Sequence, residues 1–521
     1  MLDSMDSSTF VLVCALACAA AVLIAHRIPT RDPREPPFLG HKIPLIGHAL
    51  GLIRHGQRYP LQLSAAHPEL PIFTLDVLAA KFYVVNSPDL ISPIQRNSRA
   101  LSFEYFINLS ASAFLGVKGP GMELLREEQK GGGGLGAKIA HAMNPTLLGD
   151  GLDRMNETMI AYLKTSIDQL GASSAPEHDL VAWCRHAITI AATDSAYGKL
   201  NPYKDPRLEE AFWLMEQNLE KFMTHPFPHL TAPKVFAARE SLVRAFTSYY
   251  ARDGLPADAS AMVHARFATQ HATGATLADT ARLEAGMALG LLTNTVPAAF
   301  WTLYEICSRP ELLADVRAEI AAHALRARAD GVLVVDLAAL RDECELLVSV
   351  FQEMLRTRSR ALPMRMVYED VLLNGKHLLK QGAIVQMPSP RFHRHEGVWG
   401  ETSSTFNARR FARNGEGSGG GKKKMPGFLA FGISPSLCPG RHFATGEVLA
   451  LVAMLLLRFD VVPAGGQGWE VGREAQASVA ASFDLPAEAF RVRFEARKEY
   501  EGKAWAYAVT PGSGRFGLIV G

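Results

Sequence analysis

Six cysteines, Cys14, Cys18, Cys184, Cys307, Cys344 and Cys438, are scattered along the chain without a Cys-x-x-Cys pair or a dense framework. That distribution argues against a structural zinc site or a disulfide scaffold and fits a reducing, cytosol-facing compartment. Cys438 is placed for chemistry. It closes a loop of glycine, proline and serine within FLAFGISPSLCPGRHFATGEVLALVAMLLLRF (Phe428 to Phe459), and Pro439 and Gly440 follow at the start of a predicted helix. In that helix Ala444, Val448, Leu451 and Leu455 recur at helical spacing. A thiol just before a helix N-terminus meets unpaired amides and the positive end of the dipole. Both favour the thiolate, the form that ligates a metal. An isolated cysteine in this position would read as an inert buried thiol.

Cys438 has companions at defined spacings. Phe431 lies upstream of it, and Gly440, Arg441 and Ala444 lie downstream. Earlier in the chain stand Glu353-Met354-Leu355-Arg356 and FNARRF (Phe406 to Phe411). Glu-x-x-Arg alone is a common helix-surface pair. In this order and at these distances, the segments resemble the Glu-x-x-Arg helix, the arginine segment that joins it through Arg410, and the cysteine loop of the cytochrome P450 superfamily.

The resemblance spans roughly Ile43 to Arg497. It implies a mainly α fold with a smaller β region, holding haem b (iron protoporphyrin IX) between a central helix and the cysteine loop. Cys438 would be the axial iron ligand, Phe431 and Gly440 would flank the haem, and Glu353, Arg356 and Arg410 would form a structural cluster. A thiolate ligand pushes electron density onto the iron. The cofactor then supplies the reactivity, and the protein supplies binding and orientation.

The chain departs from the family pattern at several points. Ser434 stands where glycine is usual, and Ser436 where a basic residue usually meets a haem propionate. Arg365, in RALPMRMVYED, lies where the family often places a second propionate partner. GGGGLGAKIAHAMNP replaces the usual Trp-x-x-x-Arg segment, leaving His141 as a weak substitute. Alignment on WTLYEI (Trp301 to Ile306) puts Thr293 at the position of the customary acid and Asn294 at that of the oxygen-activating alcohol, with Thr295 next. An amide can donate a hydrogen bond but relays protons less well than a hydroxyl.

The NTVPAAFW pattern, with Arg365 and FRVRFEAR, resembles the branch containing sterol 7α- and 12α-hydroxylases and prostacyclin synthase. Three functions are compatible with that branch. The first is a monooxygenase oxidising a lipophilic sterol or terpenoid of secondary metabolism, using O2 and electrons from NADPH-cytochrome P450 reductase. The second is an isomerase or dehydratase acting on a peroxide without either, and the third is a non-catalytic haem protein.

The elements that must position these residues are legible as patterns. Ala285 to Tyr304 is uncharged and could span a bilayer by hydropathy alone. Its interior Thr293, Asn294, Thr295, Pro297 and Thr302, and its acidic flanks Glu284 and Glu305, favour one long buried helix instead. Strands are expected at KFYVVNS (Lys81 to Ser87), MVYEDVLLNGKHLL (Met366 to Leu379) and FRVRFEAR (Phe490 to Arg497), the last alternating with period two.

At the N-terminus, Phe10 to Ala25 is an uncharged run with Asp3 and Asp6 before it and His26, Arg27, Arg31 and Arg34 after. It reads as a retained anchor that leaves the rest of the chain cytosolic. The resemblance to microsomal members puts it in the endoplasmic reticulum membrane as a single pass. The expected organisation is 1–8 lumenal, 9–26 transmembrane, 27–39 a proline-rich hinge, 40–497 catalytic and 498–521 a tail.

Composition excludes several classes. Over 521 residues, 54 Lys and Arg face 52 Asp and Glu, too balanced for the basic face that nucleic-acid binding needs. KGGGGLGAK (Lys130 to Lys138) lacks the Lys and hydroxyl residue of a phosphate loop. NGEGSGGGKKKMPG (Asn414 to Gly427) reads as a solvated loop. His393 and His395 in FHRHEG lack further spaced ligands and read as solvated or haem-edge histidines. No Gly-x-Ser-x-Gly elbow or His-Glu-x-x-His helix is present.

Overall fold

The computed structural model describes residues 32–520 apart from 44–45, 79, 128–132, 173–175, 253–254, 413–424, 467 and 513. The apolar run Phe10 to Ala25 and its basic flank up to Arg31 lie outside the described residues. Among the described residues no helix is long and apolar enough to cross a membrane.

Helices α1 (Gly47–His55) and α2 (Arg58–Ala66) lead into the hairpin β1 (Ile72–Val77) and β2 (Ala80–Val85). After β3 (Leu101–Ser102) come α3 (Glu104–Ala113), α4 (Leu135–Met143), α5 (Gly149–Ala172), β4 (His178–Asp179), α6 (Leu180–Tyr197) and α7 (Pro206–Glu216). The central stretch holds α8 (Leu277–Ala285), α9 (Met287–Leu292), α10 (Thr295–Cys307), β5 (Leu333–Asp336) and α11 (Glu345–Arg358). The last third brings β6 (Met364–Val367), β7 (Val371–Leu373), β8 (His377–Leu379), β9 (Ile384–Gln386), α12 (Arg441–Arg458), β10 (Phe459–Pro463), β11 (Arg491–Ala496) and β12 (Trp505–Ala508). The architecture is mainly α with a smaller β region, as the sequence implied.

Helix α12 is apolar on every side: each residue from Thr445 to Leu457 is buried, the mark of a helix enclosed by others rather than lying on a surface. It packs against α5, α10 and α11 and forms the centre of the main core. Two other helices start on side-chain caps. Asp179 accepts from the amides of Val181 and Ala182 at the head of α6, and Thr276 with Asp279 forms a reciprocal capping box on α8.

A five-stranded sheet in the order β1-β2-β9-β6-β3 sits beside the helical body, with only β2–β9 parallel. All three expected strand regions are found. In the three-residue loop between β7 and β8, Asn374 and Gly375 have positive φ (50° and 68°), and the Lys376 amide closes the turn on Leu373 O at 3.0 Å.

Three features differ from the pattern-based expectation. The run from Ala285 to Tyr304 is buried and helical, but it is interrupted at Gly286 and again at Thr293–Asn294, giving three helices where one was expected. The end of the hinge is stitched to the sheet: Thr74 donates its hydroxyl to Pro36 O and its amide to Pro37 O, and accepts from the Leu39 amide. Beyond Arg497 the chain packs into the body, with β12 pairing in parallel with β5.

Candidate active site

Glu353 and Arg356 face the same way from α11, one turn apart, and meet as a two-pronged pair: Arg356 Nε to Glu353 Oε2 and Nη2 to Oε1, both 2.7 Å. Arg410 donates its Nε to Glu353 Oε1 at 3.2 Å, and the Asn407 amide reaches the same oxygen at 2.8 Å. The remaining donors of Arg356 go to the carbonyls of His393, Ser403 and Thr405. Those of Arg410 go to the carbonyls of Trp399 and Thr402 and to the Thr402 hydroxyl. All three charged side chains are completely buried. Burial at this depth is tolerated because every charge is opposed and hydrogen-bonded. The cluster pins the segment from Phe392 to Phe411 onto α11.

His393 joins this cluster to the cysteine loop. The ring is fully buried, not solvated: Nδ1 donates to Arg356 O at 3.0 Å and Nε2 accepts from the Leu429 amide at 2.9 Å. Burial and the neighbouring Arg356 push its pKa down to about 3, so the neutral ring with its proton on Nδ1 is the form that bridges. The sequence gives no sign of this role, because Arg356 and Leu429 meet only through the fold. Outside Cys438, the described residues contain no group of three or more His, Cys, Asp or Glu close enough to hold a metal ion.

The loop that Leu429 opens closes on itself through the Cys438 amide, which donates to Phe431 O at 2.9 Å. Gly432 turns the chain at φ +79°. Cys438 is half-buried, two residues before the Gly440 cap of α12. Burial raises its thiol above the usual range, and the Gly440 amide and the Arg441 guanidinium pull the other way. Within the polypeptide alone burial therefore outweighs the helix terminus expected to favour the thiolate. A coordinated metal deprotonates a thiol outright.

Two further observations fit a large anionic cofactor at this sulfur. A Cβ placed on Gly440 would meet nothing within 4 Å, so the space beside the thiol is open. Arg365, on β6, projects into the loop and donates Nη2 to Ile433 O at 3.1 Å and Nη1 to Met364 O at 2.7 Å. It is 4% exposed, and among the described residues no carboxylate pairs with it. Burial alone lowers its pKa to about 10. An interior cation bonded to the cysteine loop, with no carboxylate on it among the described residues, suits a propionate. Ser436, exposed on the same loop, supplies no charge there. His141 lies on the exposed face of α4.

The break between α9 and α10 exposes the polar groups of the central helix. Asn294 sits at the N-cap of α10, and its Oδ1 accepts from the Ser482 amide at 2.8 Å. A backbone donor there fixes which end of the carboxamide is the oxygen, leaving Nδ2 as the free donor. Thr295 turns its hydroxyl back to Leu291 O at 2.8 Å. The Thr293 hydroxyl is buried without a partner.

Ser482 belongs to a hairpin closed by Glu474–Ala475 against Leu485–Pro486, and this hairpin touches every wall of the region. Asp484 O accepts from Trp301 Nε1, and its carboxylate pairs with Arg58 and Arg360. Ser478 bonds Glu216 on α7, and Val479 O accepts from Gln57. Sequence reasoning missed the hairpin, whose strands of two residues carry no periodicity.

At the start of α4 the Ala137 amide is committed to the protein itself, donating to Glu104 Oε1 at 3.2 Å.

Comparison with known proteins converges on one family. The family model described as Cytochrome P450 matches residues 275–478. The chain is 41% identical over 498 residues to cytochrome P450 monooxygenase nodJ of Hypoxylon pulicicidum, covering 94% of this chain and 95% of that protein. It is 26% identical to the 7-alpha-hydroxycholest-4-en-3-one 12-alpha-hydroxylase of Oryctolagus cuniculus, over 83% and 87% of the two chains. In three dimensions the cytochrome P450DA heme domain superposes with a TM-score of 0.69 at 15% identity, covering 90% of this chain and 99% of that one. With Cys438, Arg365 and the Glu353 cluster arranged as described, the chain belongs to the cytochrome P450 monooxygenase family and is a haem-thiolate protein.

Proposed function

We propose that this enzyme takes electrons from NADPH-cytochrome P450 reductase and inserts one oxygen atom of O2 into a lipophilic substrate, a sterol or terpenoid of secondary metabolism. The observation that carries the reading is the pairing of Cys438, two residues from open space at Gly440, with the cation of Arg365, which reaches from β6 to Ile433 O of the same loop. In this proposal haem b lies against Cys438 and Phe431 with a propionate on Arg365. When bound, it supplies the redox chemistry that side chains lack. Asn294 offers Nδ2 as a hydrogen-bond donor to oxygen or water. Thr295, its proton committed to Leu291, offers lone pairs, and Thr293 holds the uncommitted hydroxyl proton.

Attachment to the endoplasmic reticulum membrane, with the catalytic domain cytosolic, belongs to the same proposal. Its support is the apolar run Phe10 to Ala25, together with apolar side chains facing outward on the described surface. Ile46, Leu50 and Ile53 (80% exposed) stand on or beside α1, Leu78 (70%) at the β1–β2 turn, and Met223, Phe227 and Leu230 after α7. Exposed apolar side chains grouped in this way suit a lipid surface.

Turnover by the purified protein with reductase, NADPH and O2, screened against sterols, terpenoids and fatty acids that shift its haem spectrum, tests the reading. Product requiring all three components is expected. Product formed anaerobically without NADPH would establish a haem-thiolate isomerase or dehydratase instead.

A further inference from the structure

The last residues of the chain follow a course that neither the sequence pattern nor the family assignment requires. After β12, Thr510 ties to Asp336 through its amide (3.2 Å) and hydroxyl (2.5 Å). The chain then crosses to α5, where the Gly512 amide donates to Asp153 Oδ2 at 3.2 Å. The Phe516 amide donates to His442 Nδ1 at 3.2 Å, one turn beyond Cys438 on α12. The Ile519 amide donates to Gln352 Oε1 at 2.7 Å, on the residue preceding Glu353 in α11. Val520 O accepts from the Met425 amide at 3.0 Å, at the approach to the cysteine loop.

Gly514, Phe516, Leu518 and Ile519 turn inward, and Arg515 and Gly517 turn outward. The acceptors that meet this segment, His442 and Gln352, are themselves buried. One extended segment thus holds both flanks of the cysteine loop, Met425 before it and His442 after it, against the helix that carries the Glu353 cluster.

We propose that residues 514–520 are a clamp that keeps the Cys438 sulfur in its ligating position, with Phe516 and Ile519 as positioning residues. Cys438 lies in a loop of turns between Phe428 and α12, and a loop so built has little stiffness of its own. Its own hydrogen bonds include Cys438 to Phe431 inside the loop and Leu429 to His393 at its start. The clamp adds an attachment at each end. The inference rests on Cys438 being the haem ligand, and it is independent of substrate, reductase and membrane.

The test compares the haem-loaded parent with Ile519→Pro, which deletes one amide hydrogen, with Ile519→Ala, which keeps it, and with a chain ending at Pro511. The thiolate-type carbon monoxide band of the reduced protein is followed on mild warming, alongside the helical circular dichroism of the same sample. The parent and Ile519→Ala should hold the band. Ile519→Pro should lose it roughly five- to tenfold faster, the effect of one buried hydrogen bond, and the shortened chain faster again, in both cases while the helical signal still stands at its starting value.

Parental decay in Ile519→Pro overturns the clamp. Loss of the band only in step with helix melting also overturns it, since the segment would then be ordinary core. Absence of the band in the parent would instead remove the ligand assignment beneath it.

Discussion

Arg365 holds a full charge at 4% exposure, met by the carbonyls of Met364 and Ile433 and the face of the Phe103 ring, with no carboxylate on it among the described residues. Removing an ion from water costs several kcal/mol when no opposite charge meets it. Replacing Arg365 by Met should therefore raise the stability of the haem-free chain by about 1–4 kcal/mol while accelerating haem loss from the loaded protein. Calorimetry of the first and haem transfer to a competing apoprotein for the second read the two effects separately. Cys438→Ala should abolish the thiolate-type carbon monoxide band, and a band that persists would refute the ligand assignment. Both residues were legible in the sequence by their distance from the Glu353 motif. His393 was not, because its partners Arg356 and Leu429 lie on separate segments of the chain.

The helices were readable where apolar side chains run without interruption, as in α12 and α10, and the break before α10 had a local signal that hydropathy alone passes over. Pro297 has no amide to give the carbonyl of Thr293 four residues back and crowds it, which ends one helix and starts the next at Thr293–Asn294. The break coincides with a hydrogen bond to Ser482, almost two hundred residues away. Helix α11 shows the converse: Glu353 and Arg356 read as an ordinary surface pair until Arg410, Asn407 and five carbonyls close around them. Glu353→Ala removes the carboxylate that two buried guanidinium groups share and should cost about 3–5 kcal/mol. Urea denaturation would show this as a lower midpoint with an unchanged slope.

Taken as one molecule, the fold shifts buried groups in both directions: burial favours the protonated form of Glu447, while two buried histidines bind fewer protons than in the unfolded chain in mildly acid solution. Burial holds His393 at about 3 and His442 at about 4, below the unfolded value of about 6.5. Their contribution is complete above pH 6.5 and is lost as the pH falls through the interval down to those values. Denaturation at pH 7 and pH 5 should differ by about 2 kcal/mol per ring, and His393→Gln should remove one share. Neither the composition nor the balanced charge foretold this, since both rings were exposed or unremarkable by pattern. The hairpin from Glu474 to Pro486 bears on how such an enzyme can diversify. It touches Glu216, Asn294, Trp301, Arg58 and Arg360 together, so a substitution there alters the shape offered to a substrate and the hold on Asn294 in one step. Libraries confined to residues 476–483 should give variants whose product ratio and whose wasteful consumption of NADPH shift together. New specificities in this lineage would then have to arise from other walls of the pocket, or be followed by repair at Asn294.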